Sequence, residues 1–470
     1  MLKEHIKKVK SGEIKLTEYV KEVLDKCKSI NKELSYFNTI CKKEALEQAK
    51  EVEEKIKSKK AGKLAGLIIT VKDNLCVRDV ESTAGSRILK GYKPLFDATA
   101  IERLRKEDAI IIGKTSCDAF GFGSFNTNVG LDFEIPKNHQ DIERVTGGSS
   151  GGSAGITAVA DFVHVAIAES TGGSIESPAS FCGVIGFCPT YGRVSRSGLI
   201  SYANSLDKIG VMTKKVKDIA PVLEIISGFD EKDSTSLKHK INLKSDVKKL
   251  KIGIIKESLG KGIEPEVKKA ILKIIEKLRK KGFICEEVSL PITFKYGVPT
   301  YYLISTSEAS TNLACLSGLR YGQEEDPKGK SFAEYFSEVR SKHFNDESKR
   351  RIMLGTFARM AGYRDAYYIK ATKIRTKIIE EYKKLFEKYD VLISPTMPVV
   401  APKISEVKKM TPLQNYMMDI LTVGPNLTGM PHATISAGDK EGLPIGLMAT
   451  TDHQEEGKLL QFLEIIEGLQ

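Results

Sequence analysis

The feature that most constrains this chain is a run of glycine and serine, TGGSSGGSAG at 146–155, followed by STGGSI at 170–175. Apolar segments with the spacing of strands and helices enclose both pieces, so a flexible Gly/Ser linker does not account for them. The wider stretch 122–157 is rich in Gly, Ser, Asn and Thr with little periodicity. An irregular stretch of that length inside a compact domain is more often functional than structural.

Three short motifs fail on context. Gly147, Ser149 and Gly151 fit the G-x-S-x-G nucleophile elbow, but that device needs an apolar strand before it, and 138–146 is polar. Gly113, Lys114 and Thr115 resemble the end of a phosphate loop, yet the first glycine of that loop is replaced by Asp108. Ser258 and Lys261 match S-x-x-K, a pattern expected by chance in a chain this rich in lysine.

What remains is a serine in need of a base, and the seven histidines form no legible Ser-His-Asp arrangement. A lysine serves if it is neutral, and burial disfavours its ammonium form. Lys72 ends the apolar segment Leu67, Ile68, Ile69, Thr70, Val71, where a solvated charge is hard to place. The alternative is a strand-end lysine that snorkels to solvent.

The eight cysteines show no CxxC pair or neighbouring histidines, so they are expected as reduced, mostly buried thiols rather than a zinc site or disulfide framework. The net charge of +12 is spread in mixed runs, which permits a nucleic-acid partner without requiring one. No apolar run approaches the roughly 20 residues of a membrane span, and the start lacks a signal-peptide core, so no membrane association and a cytoplasmic location are expected.

Residues 1–62 read as helices, with Thr17 as an N-cap and stripes through Val20, Val23, Leu24 and Cys27, then Ala45, Ala49 and Val52. Short apolar strands follow at 67–71 and 109–112, with a helix capped by Asp97 between them. Helices at 216–226 and 267–278 flank a strand at 251–255, the segment 296–389 is mostly helical, and 391–393 and 433–435 read as strands. This alternation argues for one α/β domain over 1–470, a mixed sheet covered by helices, with a signature core at 63–230 and the remaining sheet in 231–470.

Several long segments, in order, resemble the amidase signature family. They are AGLIITVKDN at 65–74, DATAIERL at 97–104, IGKT at 112–115, the GGSSGGS run, GGSI at 172–175, PASFCG at 178–183, PTYGRVS at 189–195 and SLDKIG at 205–210. Within the family, DSTS at 233–236, KRRIMLGT at 349–356, GYRDAYY at 362–368, DILT at 419–422, NLTGMP at 426–431 and GLPIG at 442–446 look like the A-subunit branch of the tRNA-dependent amidotransferases.

The resemblance implies an α/β/α sandwich and a glutamine amidase that releases ammonia. It makes Ser174 the nucleophile, Ser149, in a cis peptide, the bridging serine, and Lys72 the base. It implies an oxyanion hole from the N–H groups of Thr171, Gly172, Gly173 and Ser174. Arg351, with Arg350 as the alternative, and Asp419 are the implied binders of substrate carboxylate and ammonium. The implied partners are glutamine, the amidotransferase B and C subunits, and mischarged glutamyl-tRNA(Gln) or aspartyl-tRNA(Asn) reached through the complex. No cofactor is implied in this chain, ATP and Mg²⁺ being used on the partner subunit.

Two positions depart from the family, which has Asp four residues before the nucleophile and Arg two after it, where this chain has Ser170 and Glu176. Glu176 is expected either exposed or paired with a basic side chain from elsewhere. The interval from Ser149 to Ser174 is also one residue longer than in the family, an insertion placed near 162–169. The departures leave two other readings open, a free-standing amidase on small amides and an inactive scaffold subunit.

Overall fold

A computed structural model describes residues 2–245, 247 and 249–470. Its centre is one sheet of 11 strands, in the order β1-β3-β2-β4-β6-β5-β10-β11-β9-β7-β8. In chain order these are β1 (Phe37–Ile40), β2 (Ile68–Lys72), β3 (Ile110–Thr115), β4 (His164–Ser170), β5 (Ile185–Cys188) and β6 (Lys208–Thr213). Then come β7 (Lys251–Ile255), β8 (Ile284–Val288), β9 (Val391–Pro395), β10 (His432–Lys440) and β11 (Leu443–Thr450). Parallel pairs β3–β2–β4 and β9–β7–β8 lie towards the two sides, and the middle of the sheet is antiparallel, so the sheet is mixed, as the alternation predicts.

The apolar strands bury both faces. Leu67, Ile69 and Val71 enter a large cluster with side chains of the helices Thr99–Lys106, Ile219–Ile226, Pro265–Lys280 and Glu456–Glu467. Ile68, Ile110 and Ile112 enter another, under the helices Leu16–Leu34 and Lys42–Lys57. A third cluster, rich in tyrosine, is built from Pro291–Asn312, Phe332–His343, Asp346–Arg359 and Lys370–Phe386 and roofs the sheet's functional end. Among the described residues no helix is long and apolar enough to cross a membrane.

Local details correct the sequence reading. The helical region 1–62 also contains β1, which pairs antiparallel with β3. Thr17 is not an N-cap: the helix begins at Leu16 after Lys15, and the Thr17 hydroxyl donates to Glu53 at 2.9 Å. Asp97 does not cap its helix either, since Ala98 holds that position and Asp97 Oδ1 accepts the Arg78 N–H at 2.8 Å. The stretch expected to be irregular contains a helix, Gly151–Val159, whose glycines suit close packing rather than flexibility. Seven of the cysteines are buried and Cys315 is exposed, all of them free thiols.

Candidate active site

The strand ends converge where β2 and β4 run parallel. Lys72, the last residue of β2, is fully buried. Its Nζ donates to Ser149 Oγ at 2.7 Å, to the Glu169 carbonyl at 3.0 Å and to Glu169 Oε2 at 2.8 Å. The Gly148–Ser149 peptide bond is cis. Lys72 therefore does not snorkel; it is held inside by three acceptors.

Ser174 follows β4 by a short turn in which Gly173 has φ +144°, a conformation that favours glycine. Side chains added to this turn would collide: a Cβ on Gly172 would lie 2.3 Å from the Tyr301 ring. The turn is tied down by Thr422 Oγ1, which donates to the Gly172 carbonyl at 2.7 Å. Ser174 Oγ has no hydrogen-bond partner among the described residues and faces a small cavity. Of the N–H groups expected to bind an oxyanion, that of Gly173 donates to Ser170 Oγ at 3.2 Å.

That cavity, of about 10 Å³, is lined by Gly121, Gly148, Gly173, Ser174, Arg351 and Asp419, among others. It has room for about one water. A larger chamber of about 240 Å³ adjoins it through Gly123 and Arg351, and Arg350 lines only this outer chamber. Thus Ser174, Arg351 and Asp419 come together, while Arg350 stands outside.

Both groups expected to hold substrate are engaged internally. Arg351 donates to Glu347 Oε1 at 2.8 Å and to the Tyr202 hydroxyl at 2.7 Å, and its guanidinium is packed against Phe122, Tyr202, Tyr302 and Tyr416. Asp419 Oδ2 accepts from the Tyr302 hydroxyl at 2.7 Å. Burial pushes the Asp419 carboxyl up to about 6, against the lowering effect of Ser124, Tyr302 and Arg351. The Tyr302 and Tyr416 rings stack at 4.0 Å over this arrangement.

The two departures sit against each other, Ser170 Oγ donating to Glu176 Oε2 at 2.8 Å. Glu176 is fully buried rather than exposed, and its Oε1 lies 2.7 Å from Nε2 of His432 on β10. The pairing expected from elsewhere in the fold is therefore present. With Cys188 these two form a buried cluster of metal-ligand types. Two ligands sharing a tetrahedral ion would stand about 3.3 Å apart, so at 2.7 Å the acid and imidazole bind each other and leave no place for an ion between them.

Sequence reasoning missed Glu169, Asp207, Glu347 and Tyr302. Glu169 was legible in principle: it stands next to last in an apolar strand, as Lys72 stands last in another, with the opposite charge.

The chain belongs to the amidase family, whose model, described as Amidase, matches residues 18–460. Within that family it is similar to the glutamyl-tRNA(Gln) amidotransferase A-subunit 2 of Clostridium acetobutylicum, with 46% identity over 462 residues, 97% of this chain and 95% of that one. The corresponding A-subunit of Geobacillus sp. (strain WCH70) is 44% identical, over 97% of this chain and 94% of that one. The crystal structure of the glutamyl-tRNA(Gln) amidotransferase A-subunit from Thermotoga maritima matches with a TM-score of 0.77 at 35% identity, covering 95% of this chain and 89% of that chain.

Proposed function

We propose that this chain is the glutamine-hydrolysing subunit of a tRNA-dependent amidotransferase. The observation that carries the reading is the convergence of Ser174, Arg351 and Asp419 on one cavity, with the Lys72–Ser149 contact of 2.7 Å behind it. Glutamine enters with its α-carboxylate on the Arg351 fork and its α-ammonium on Asp419. Ser174 Oγ attacks the side-chain carbonyl carbon, and its proton passes through Ser149 to Lys72. The proton returns to the leaving nitrogen as the C–N bond breaks, giving ammonia and an acyl-enzyme, which water hydrolyses to glutamate. N–H groups of the 171–174 turn other than that of Gly173, which donates to Ser170 Oγ, stabilise the oxyanion.

The resting pocket is too small for glutamine, so the Tyr302, Tyr416 and Glu347 cover must shift when substrate binds. Ammonia then passes to the B and C subunits, where ATP and Mg²⁺ activate glutamyl-tRNA(Gln) or aspartyl-tRNA(Asn). The test is ammonia release from glutamine, measured for the chain alone and with its partner subunits, ATP and mischarged tRNA. Ser174→Ala should reduce glutamine-dependent amidation to background while amidation from free ammonium persists. Retained glutamine dependence in that variant overturns the assignment.

A further inference from the structure

The proton relay has a neighbour that neither the family segments nor the mechanism uses. Lys72 Nζ meets three acceptors, one of them the Glu169 carboxylate at 2.8 Å, with both side chains buried. Three acceptors satisfy the three N–H bonds of an ammonium. In that form Lys72 donates to Ser149 and cannot take its proton, so the relay starts only once the lysine has become an amine.

Hydrogen counting fixes the state of the acid. The single hydroxyl hydrogen of Thr171 faces two carboxyl oxygens, Glu169 Oε1 at 2.6 Å and Asp207 Oδ1 at 2.8 Å. One of these carboxyls must therefore carry a proton. Burial, and then the charge of Glu169, push Asp207 up, so the shared proton is assigned to Asp207, which donates to Thr171, and Thr171 donates to Glu169. Asn74 Nδ2 adds a bond to Glu169 Oε2 at 3.0 Å. Glu169 is thereby kept as a carboxylate turned towards Lys72.

The other charges nearby are otherwise occupied. Asp73 is paired with Lys114 at 3.1 Å, and Asp118, pushed up to about 6 by burial, accepts the N–H groups of Asn126 and Asn128. The Cys117 thiol is pushed up by burial and stays neutral, and Arg351 is paired with Glu347.

We propose that Glu169 is a positioning residue of the reaction that acts through Lys72: as its buried counter-ion it sets the pH at which the Lys72–Ser149–Ser174 relay switches on. The proposal rests on the serine-amidase reading, and its test is separable from glutamine turnover. The rate at which a small phosphonyl or sulfonyl fluoride labels Ser174 of the full chain reports the nucleophile across pH, whatever the amide substrate.

Removing a counter-ion disfavours the ammonium, so Glu169→Gln should move the acid limb of the labelling profile to lower pH by about one unit or more. Glu169→Asp, which keeps the charge but withdraws it by one methylene, should move it less in the same direction. The KM for glutamine should stay within about twofold in both, because the polar partners of Glu169 are Lys72, Asn74 and Thr171 rather than Arg351 or Asp419. A Glu169→Gln profile that superposes on the parent, moves upward, or shows no labelling at any pH in folded protein overturns the proposal. If that variant does not fold, an unmoved limb in Glu169→Asp overturns it. Normal labelling without glutamine hydrolysis would instead count against the proposed substrate.

Discussion

Glu176 Oε1 and His432 Nε2 lie 2.7 Å apart in the interior, joining the helix Glu176–Cys182, the first after Ser174, to β10. On the other side of the ring, His432 Nδ1 lies 2.7 Å from the Met430 carbonyl. Burial alone would raise the Glu176 carboxyl, but the His432 charge holds it well below the ordinary carboxylate value, at about 2. Removing the ring in His432→Ala strands a buried charge, at a cost of about 3–5 kcal/mol, measurable as a lowered urea midpoint at pH 7. Because the folded value is depressed, the stabilisation is present above the unfolded carboxylate range and lost as pH falls from about 4.5 towards 2. The acid slope of stability should flatten in His432→Ala, and an unchanged slope would show that the pair contributes nothing.

In the proposed relay Lys72 exchanges a proton with Ser149, 2.7 Å away, which a guanidinium cannot do. Lys72→Arg should therefore lower glutamine hydrolysis by ~10²–10⁴-fold. Circular dichroism should show a folded protein, and near-parental turnover would contradict the relay.

The helix that follows Ser149 is held close to the N-terminal region by absent side chains. A Cβ on Gly155 would lie 2.3 Å from the Tyr36 ring, and that ring is buried with its hydroxyl bonded to the Lys137 carbonyl at 2.9 Å. Gly155→Ala should cost about 1–3 kcal/mol through overpacking. A thermal midpoint equal to the parent's would show that Tyr36 can yield.

The strands at 67–71 and 251–255 were legible because unbroken apolar runs of that length are what a sheet covered on both faces requires. The places of Lys72, Ser149 and Ser174 were marked by unusual local composition and the family segments, and the structure puts Lys72 against Ser149 and Ser174 on the cavity wall. The helix Gly151–Val159 was not, since its residues are poor helix formers and tertiary packing decides the matter. His432 as partner of Glu176 was likewise hidden, because they stand 256 positions apart in the chain and meet only where the helix Glu176–Cys182 packs on β5 and β10. Glu347 and Tyr302, spaced as ordinary helix residues, carry no local mark of their contacts with Arg351 and Asp419.

Arg351 and Arg350 adjoin in sequence yet differ in environment, Arg351 buried among aromatic rings and Arg350 partly exposed beside Glu347. A lysine replaces the planar fork with a point charge. Arg351→Lys should raise KM for glutamine by about 10–100-fold with a smaller change in kcat, whereas Arg350→Ala should leave KM within about threefold. The reverse pattern in steady-state kinetics would assign the carboxylate to Arg350.

In the proposed site Asp419 would bind the α-ammonium only when ionised, and its folded value is raised to about 6, chiefly by burial. A raised carboxylate value favours the neutral acid, so the ionised form is lost as pH falls through 6. KM for glutamine should therefore climb below about pH 6, by up to tenfold per unit. The Tyr302 hydroxyl, 2.7 Å from Oδ2, donates to the ionised form and holds the value down. In Tyr302→Phe that donor is gone, the neutral acid is favoured further, and the inflection in KM should move to higher pH while the stacking with Tyr416 is kept. An inflection that stays in place would mean that Tyr302 does not tune Asp419, and a KM independent of pH between 5 and 7 would remove Asp419 from ammonium binding.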